Sequence, residues 1–144
     1  MIALDTQILV YAHREDAVFH ERAKGIISGL AGGQSQWALP WPVLHEFLAI
    51  VTHPRIYVPA SPVPVAFGFL ESLLAAPGLQ LLTEGPNHLT VLKQLALAGK
   101  ISGPVFHDAR IAALCLSNGI KELWSADRDF GRMKGLRVVN PLTQ

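Results

Sequence analysis

Eleven acidic side chains are spread over 144 residues, and four of them stand where carboxylates could act together. Asp5 ends the apolar run Met1-Ile2-Ala3-Leu4, and Asp127 comes just after the strand-like segment Glu122-Leu123-Trp124-Ser125. Asp108 opens a helical segment behind Gly103-Pro104, and Glu46 lies one turn into another, flanked by Leu44, Phe47 and Leu48. Strand ends and helix starts along one edge of a parallel sheet are where α/β folds gather their sites. Four carboxylates converging there would repel one another and call for a cation. An all-oxygen donor set suits hard divalent ions, Mg²⁺ or Mn²⁺. Such an ion polarises a phosphoryl oxygen and acidifies a bound water, the chemistry of phosphodiester hydrolysis. Each acid also has a plain structural reading. Asp5 and Asp108 suit helix caps or first turns, Asp127 and Asp129 suit turns, and Glu46 suits a pairing with a buried arginine.

The elements that must position these groups follow from apolar patterning. Residues 1–4, 36–39, 79–82, 122–125 and 136–139 read as short buried strands. Between them the pattern predicts helices over about 7–12, 16–30, 43–52, 65–76, 86–98 and 107–117. Asp5-Thr6 is expected to cap the first of these, Pro40 and Pro42 to introduce the third, and Gly32-Gly33, His53-Pro54, Pro77-Gly78 and Asn118-Gly119 to close helices. Strands alternating with helices across short connections predict a three-layer α/β/α domain with a mainly parallel five-stranded sheet. No repeat, linker or low-complexity tract divides the chain, so residues 1–144 read as a single domain.

Composition narrows the function classes. Half the residues are hydrophobic and only 16% are charged, against about 25% in an average domain. That excess of apolar surface points to an oligomer or a protein partner, with the nearly charge-free segment 65–76 as part of the interface. Net charge is +1, but from Arg110 onward six basic residues (Arg110, Lys121, Arg128, Arg132, Lys134, Arg137) face three acids, a weak footprint compatible with phosphate contact. The lone Cys115 rules out an internal disulfide and a cysteine metal cluster, and its apolar surroundings predict burial. His45-Glu46 begins an H-E-x-x-H pattern that fails at Ala49. Phosphate-loop, dinucleotide and serine-hydrolase motifs are absent. Trp37, Trp41 and Trp124 sit beside strands and helix starts, where core packing is expected rather than base stacking. With no signal-like opening and no apolar run of about 18 residues, a cytoplasmic protein with no membrane contact is expected.

Four segments, in order, resemble the motifs of PIN-domain ribonucleases of the VapC type. Leu4-Asp5-Thr6-Gln7-Ile8-Leu9-Val10-Tyr11 is similar to the opening strand with its first metal-binding aspartate. Trp41-Pro42-Val43-Leu44-His45-Glu46-Phe47-Leu48 resembles the helix bearing the glutamate, and Val105 to Leu114 the helix bearing the third acid, Asp108. Ser125-Ala126-Asp127-Arg128-Asp129-Phe130 is similar to a Thr-x-Asp-x-Asp-Phe signature, with Ser125 for the usual threonine; Gln7 stands for a common asparagine. Val51 to Arg55 and Val139 to Leu142 also resemble this branch. The resemblance implies a toxin of a toxin–antitoxin pair that cleaves RNA with Mg²⁺ or Mn²⁺. It further implies a homodimer, neutralisation by a small cognate antitoxin, and contact with DNA only through that antitoxin. Asp5, Glu46, Asp108 and Asp127 would bind the metal directly or through water. Thr6, Ser125 and Asp129 would support them, Arg128 is a candidate RNA contact, and His107 would neighbour the site. Two other functions compete. A phosphatase using Asp5 as nucleophile would need an aspartate where Gln7 stands, and a silent binding module would lack one or more of the four acids.

Overall fold

In a computed structural model that describes residues 1–143, the apolar runs form five short strands. They are β1 (Ile2–Leu4), β2 (Trp37–Pro40), β3 (Leu79–Leu82), β4 (Glu122–Trp124) and β5 (Arg137–Val139). All pair in parallel in the order β3-β2-β1-β4-β5. The helices are α1 (Thr6–His13), α2 (His20–Gly32), α3 (Trp41–Val51), α4 (Val63–Leu74), α5 (His88–Gly99) and α6 (Phe106–Ser117). The sheet is therefore wholly parallel, and the six helices flank it as the expected α/β fold. Chain order moves outward from β1 to β2 and β3 on one side, then to β4 and β5 on the other. This reversal puts the topological switch point between β1 and β4, where the carboxyl ends of two strands diverge into loops on opposite sides.

Burial explains why such short strands hold. Ala3, Leu4, Trp37, Ala38, Leu39 and Leu123 are fully enclosed, as strands covered on both faces require. Ile8, Leu9 and Val10 of α1, Val43 and Phe47 of α3, and Ile111, Ala112 and Cys115 of α6 complete the core. The Phe47 ring stacks on Phe69 at 5.2 Å between centroids and meets His13 edge-on at 5.4 Å, joining α1, α3 and α4.

Most boundaries shift by one or two residues, among them α4 to Val63–Leu74 and α5 to His88–Gly99, and for two helix starts the physical reason is plain. The second helix begins at His20 rather than Asp16, because Arg14 holds the Asp16 carboxylate through Nε and NH2 at 2.9 and 2.8 Å and fixes a turn there. The third begins at Trp41, directly after the last strand residue, with Pro42 in the first turn, where a missing N–H costs no hydrogen bond. Phe47→Ala should lower stability by about 3–5 kcal/mol, since a fully buried ring leaves a cavity that its neighbours fill only in part. Denaturant unfolding would show this, and a loss under about 1 kcal/mol would mean the aromatic stack is not a core element.

Candidate metal centre

The site is assembled by the sheet itself. Past the last residues of β1 and β4 the ladder runs on by one step: the Asp5 N–H donates to Trp124 O at 3.0 Å and the Ser125 N–H to Val139 O at 2.9 Å. These bonds set Asp5 and Ser125 side by side at the switch point, where Ser125 Oγ donates to Asp5 Oδ2 at 2.6 Å. The same hydroxyl oxygen accepts the Asp127 N–H at 3.0 Å, and Asp127 Oδ1 accepts the Asp129 N–H at 2.9 Å as the cap of a short 3₁₀ turn, Arg128–Arg132. From the other flank, Thr6 Oγ1 donates to Glu46 Oε2 at 2.6 Å. Asp108 approaches from the first turn of α6.

The expected helix cap by Asp5 is not made; although the residue occupies the cap position of α1, its side chain turns to Ser125 instead. Nor does Glu46 pair with a buried arginine, since Thr6 is its partner. Oxygens of Asp108, Asp127 and Asp129 all lie within 4.8 Å of one another. Asp129, expected only in support, thus stands with the other two, and the Asp-x-Asp spacing of 127 and 129 was its signal. Asp5 and Glu46 lie beside this trio rather than within it. Arg128 is exposed on the turn next to Asp127, and His107 is exposed beside Asp108. Trp37 is core as expected, and Trp124 is partly buried. Trp41 is not core: it remains 39% exposed, because the first residue of α3 lies past the strand end and no layer covers it.

Negative charge dominates the electrostatics. Among the described residues, arginine bridges Asp16, Glu84 and Glu122, and no lysine or arginine bridges Asp5, Glu46, Asp108, Asp127 or Asp129. Burial pushes the Asp5 carboxyl up to about 6, with the charges of Glu46 and Asp127 adding to the rise and Ser125 and the Thr6 amide opposing it. Asp108 rises to about 7 through desolvation first and then the charges of Asp127, Asp5 and Asp129. Burial, aided by the Asp5 charge, raises the Cys115 thiol to about 12, which leaves it an inert core residue. Three clustered oxygens, further carboxylates alongside and no basic partner make a donor set that fits a hard divalent cation.

The raised values set the sign of a pH effect. Between pH 4 and 7 the unfolded chain releases protons that folded Asp5 and Asp108 still hold, so the metal-free protein should lose stability as pH rises across that window. Asp108 is partly exposed, and solvent reduces its share. Asp5→Asn should flatten the decline and stabilise the metal-free protein at pH 8 by roughly 1–2 kcal/mol. Mg²⁺ should then raise the melting temperature of the parent protein more than that of the variant. Thermal unfolding from pH 4 to 8 in a chelator tests both, and a flat profile for the parent protein would contradict the charge cluster.

Comparison with known proteins places this geometry in a family. Residues 2–136 match the PIN domain. Ribonuclease VapC43 of Mycobacterium tuberculosis is 36% identical over 142 residues, spanning 99% of this chain and 96% of its own. Among solved structures, VapBC2 from Rickettsia felis, bound to a DNA fragment from its promoter, superposes with a TM-score of 0.69 at 19% identity over 96% of this chain and 98% of that one. Mycobacterium tuberculosis VapC20, a Sarcin-Ricin loop cleaving toxin, gives 0.63 at 17% identity over 91% and 93%. A domain match across nearly the whole chain, with a full-length relative above 30% identity, leaves one conclusion: the chain belongs to the PIN-domain family and is homologous to its VapC ribonucleases.

Proposed function

We propose that this protein is a divalent-cation-dependent endoribonuclease that acts in the cytoplasm as the toxin of a toxin–antitoxin pair. The observation that carries the reading is the set of acidic side chains at the switch point with no basic partner among the described residues. Asp5, Glu46, Asp108 and Asp127 would hold Mg²⁺ or Mn²⁺ directly or through water, and Asp129, with an oxygen within 4.8 Å of oxygens of Asp108 and Asp127, would join them. When bound, such an ion supplies Lewis acidity to a phosphoryl oxygen and acidifies water for hydrolysis. The chain's own part is orientation. Ser125 fixes the Asp5 carboxylate and, through the Asp127 amide, the start of the turn that carries Asp127 and Asp129. Thr6 fixes Glu46. Arg128, exposed on the turn next to Asp127, would offer its guanidinium to a phosphate approaching that carboxylate.

The same charge pattern supports a partner. A small cognate antitoxin that presents a cationic group to these carboxylates would displace metal and substrate together, and contact with DNA would come only through that antitoxin. On α4, Ala66, Leu70 and Leu73 pack inward while Val63, Val65, Phe67 and Leu74 stay 41–54% exposed. At helical spacing Val63, Phe67 and Leu74 line one side of α4, and that uncovered stripe suits a homodimer or the antitoxin.

The decisive assay is cleavage of RNA by the purified protein with Mg²⁺, with Mn²⁺ and with a chelator. Cleavage should require the cation, and Asp5→Asn or Asp108→Asn should abolish both cleavage and growth inhibition while leaving the fold intact. Ser125→Ala and Thr6→Val should keep the fold but weaken metal binding about 10–100-fold, as loss of an orienting hydrogen bond does. Full cleavage in chelator, or undiminished toxicity of Asp5→Asn, would sink the reading.

A further inference from the structure

At the carboxyl ends of β2 and β3, on the same sheet edge as the carboxylates, lies a cavity of about 210 Å³. Trp41 forms one wall, Pro42, Leu82 and Leu114 form the apolar floor, and Arg110 and Glu84 pair across its rim at 3.5 Å, both about half exposed. The Trp41 indole is 39% exposed, with the His45 ring set edge-on to it at 6.1 Å. Two helices tie this cavity to the metal centre: α3 carries Trp41 and Glu46, and α6 carries Arg110 and Asp108. Strand β2 is the direct neighbour of β1, a lateral step of about 4.8 Å. The cavity sits at the ends of β2 and β3 and the carboxylates at those of β1 and β4, about 10 Å apart along the edge at that spacing, so a strand of RNA crossing this edge with a phosphate at the carboxylates would bring a flanking nucleotide to Trp41.

We propose that this cavity is a nucleobase subsite, in which the Trp41 ring stacks on an unpaired base flanking the scissile phosphate and Arg110 and Glu84 offer a donor and an acceptor to the base edge. The inference rests on the ribonuclease reading above. Chemistry favours a base over a peptide side chain as occupant. An exposed indole face accepts any base by stacking, and single-stranded RNA is read through aromatic platforms with hydrogen bonds to the base edges. A cation and an anion at the rim match the mixed donors and acceptors of a base edge, whereas an acidic or basic peptide would need a rim of one sign. Trp41 is thus a positioning and specificity residue rather than a catalytic one.

The test compares the protein with Trp41→Ala, Trp41→Phe and Arg110→Ala on RNA substrates with every base placed on either side of the cut. Trp41→Ala should reduce kcat/KM by about 5- to 150-fold, the range that one stacked base carries. The loss should fall mainly on KM and relax the preference for the flanking base. Trp41→Phe should restore most of the loss, and Arg110→Ala should change base preference more than rate. Photo-crosslinking of the unmutated protein to an iodouracil-containing strand, mapped by mass spectrometry, should label the Trp41 region and needs no variant to fold. Cleavage by the parent protein with unchanged kcat/KM and base preference in Trp41→Ala would overturn the subsite alone. So would a variant that keeps cleavage but fails to bind a protein inhibitor, which would make the cavity a protein contact. A parent protein that cleaves no RNA with either cation would instead remove the underlying reading.

Discussion

Uncompensated negative charge at the switch point is the constraint on which the rest of this structure depends. Asp108 of α6 and Asp127 and Asp129 of the turn after β4 are brought together, with Asp5 just past β1 and Glu46 of α3 alongside, and no lysine or arginine bridges any of them among the described residues. Burial first, and the neighbouring carboxylate charges after it, raise the protonation of Asp5 and Asp108, which opposes the folded state at neutral pH. A surface cluster could spread apart to relieve this. Here the acids stand at the end of a strand, on helices packed on the sheet, or on a short turn pinned by Ser125 and Asp127, so the charge stays concentrated and available to a cation.

The anchoring comes from a sheet enclosed on both faces. Each strand is only three or four residues long, yet Ala3 and Leu4 of β1, Trp37 to Leu39 of β2 and Leu123 of β4 are fully enclosed, as are Phe47 and Ile111 of the covering helices. Rigidity of that kind lets two hydroxyl groups do the fine positioning. Ser125 serves two acids at once, through its hydrogen to Asp5 and its oxygen to the Asp127 amide, and Thr6 holds Glu46 across the gap between α1 and α3. In an interior of low polarity such short bonds to ionised groups are strong and directional.

Two helices are used twice. The start of α3 presents Trp41 to the sheet edge, and one turn later the same helix presents Glu46 to the carboxylates. Likewise α6 begins at the metal centre with Asp108 and carries Arg110 to the neighbouring cavity. A shift of either helix would therefore move an acid of the cluster and a wall of the cavity together. Helix α4 shows the opposite economy: Ala66, Leu70 and Leu73 pack inward while Val63, Phe67 and Leu74 beside them stay uncovered.

Much of this was legible in the amino-acid order. Alternating short apolar runs and helical segments determined a parallel α/β sheet, because a strand buried on both faces must be apolar throughout and must be joined by crossover helices. The types and order of Asp5, Glu46, Asp108 and Asp127 pointed to one acidic centre, and Ser125 was legible as a hydroxyl in a Thr-x-Asp-x-Asp-Phe-like setting. Partner choice was not. Sequence offered Asp5 as a helix cap and Glu46 as half of an ion pair, while the tertiary structure gave them Ser125, 120 residues away, and Thr6, 40 residues away. It likewise brought Asp129 in with Asp108 and Asp127, and left Trp41 uncovered where a core tryptophan was expected. Local pattern fixes which face of an element is buried, because that depends on periodicity along one segment. Which side chains meet at a sheet edge depends on strand order and register, which distant segments set together.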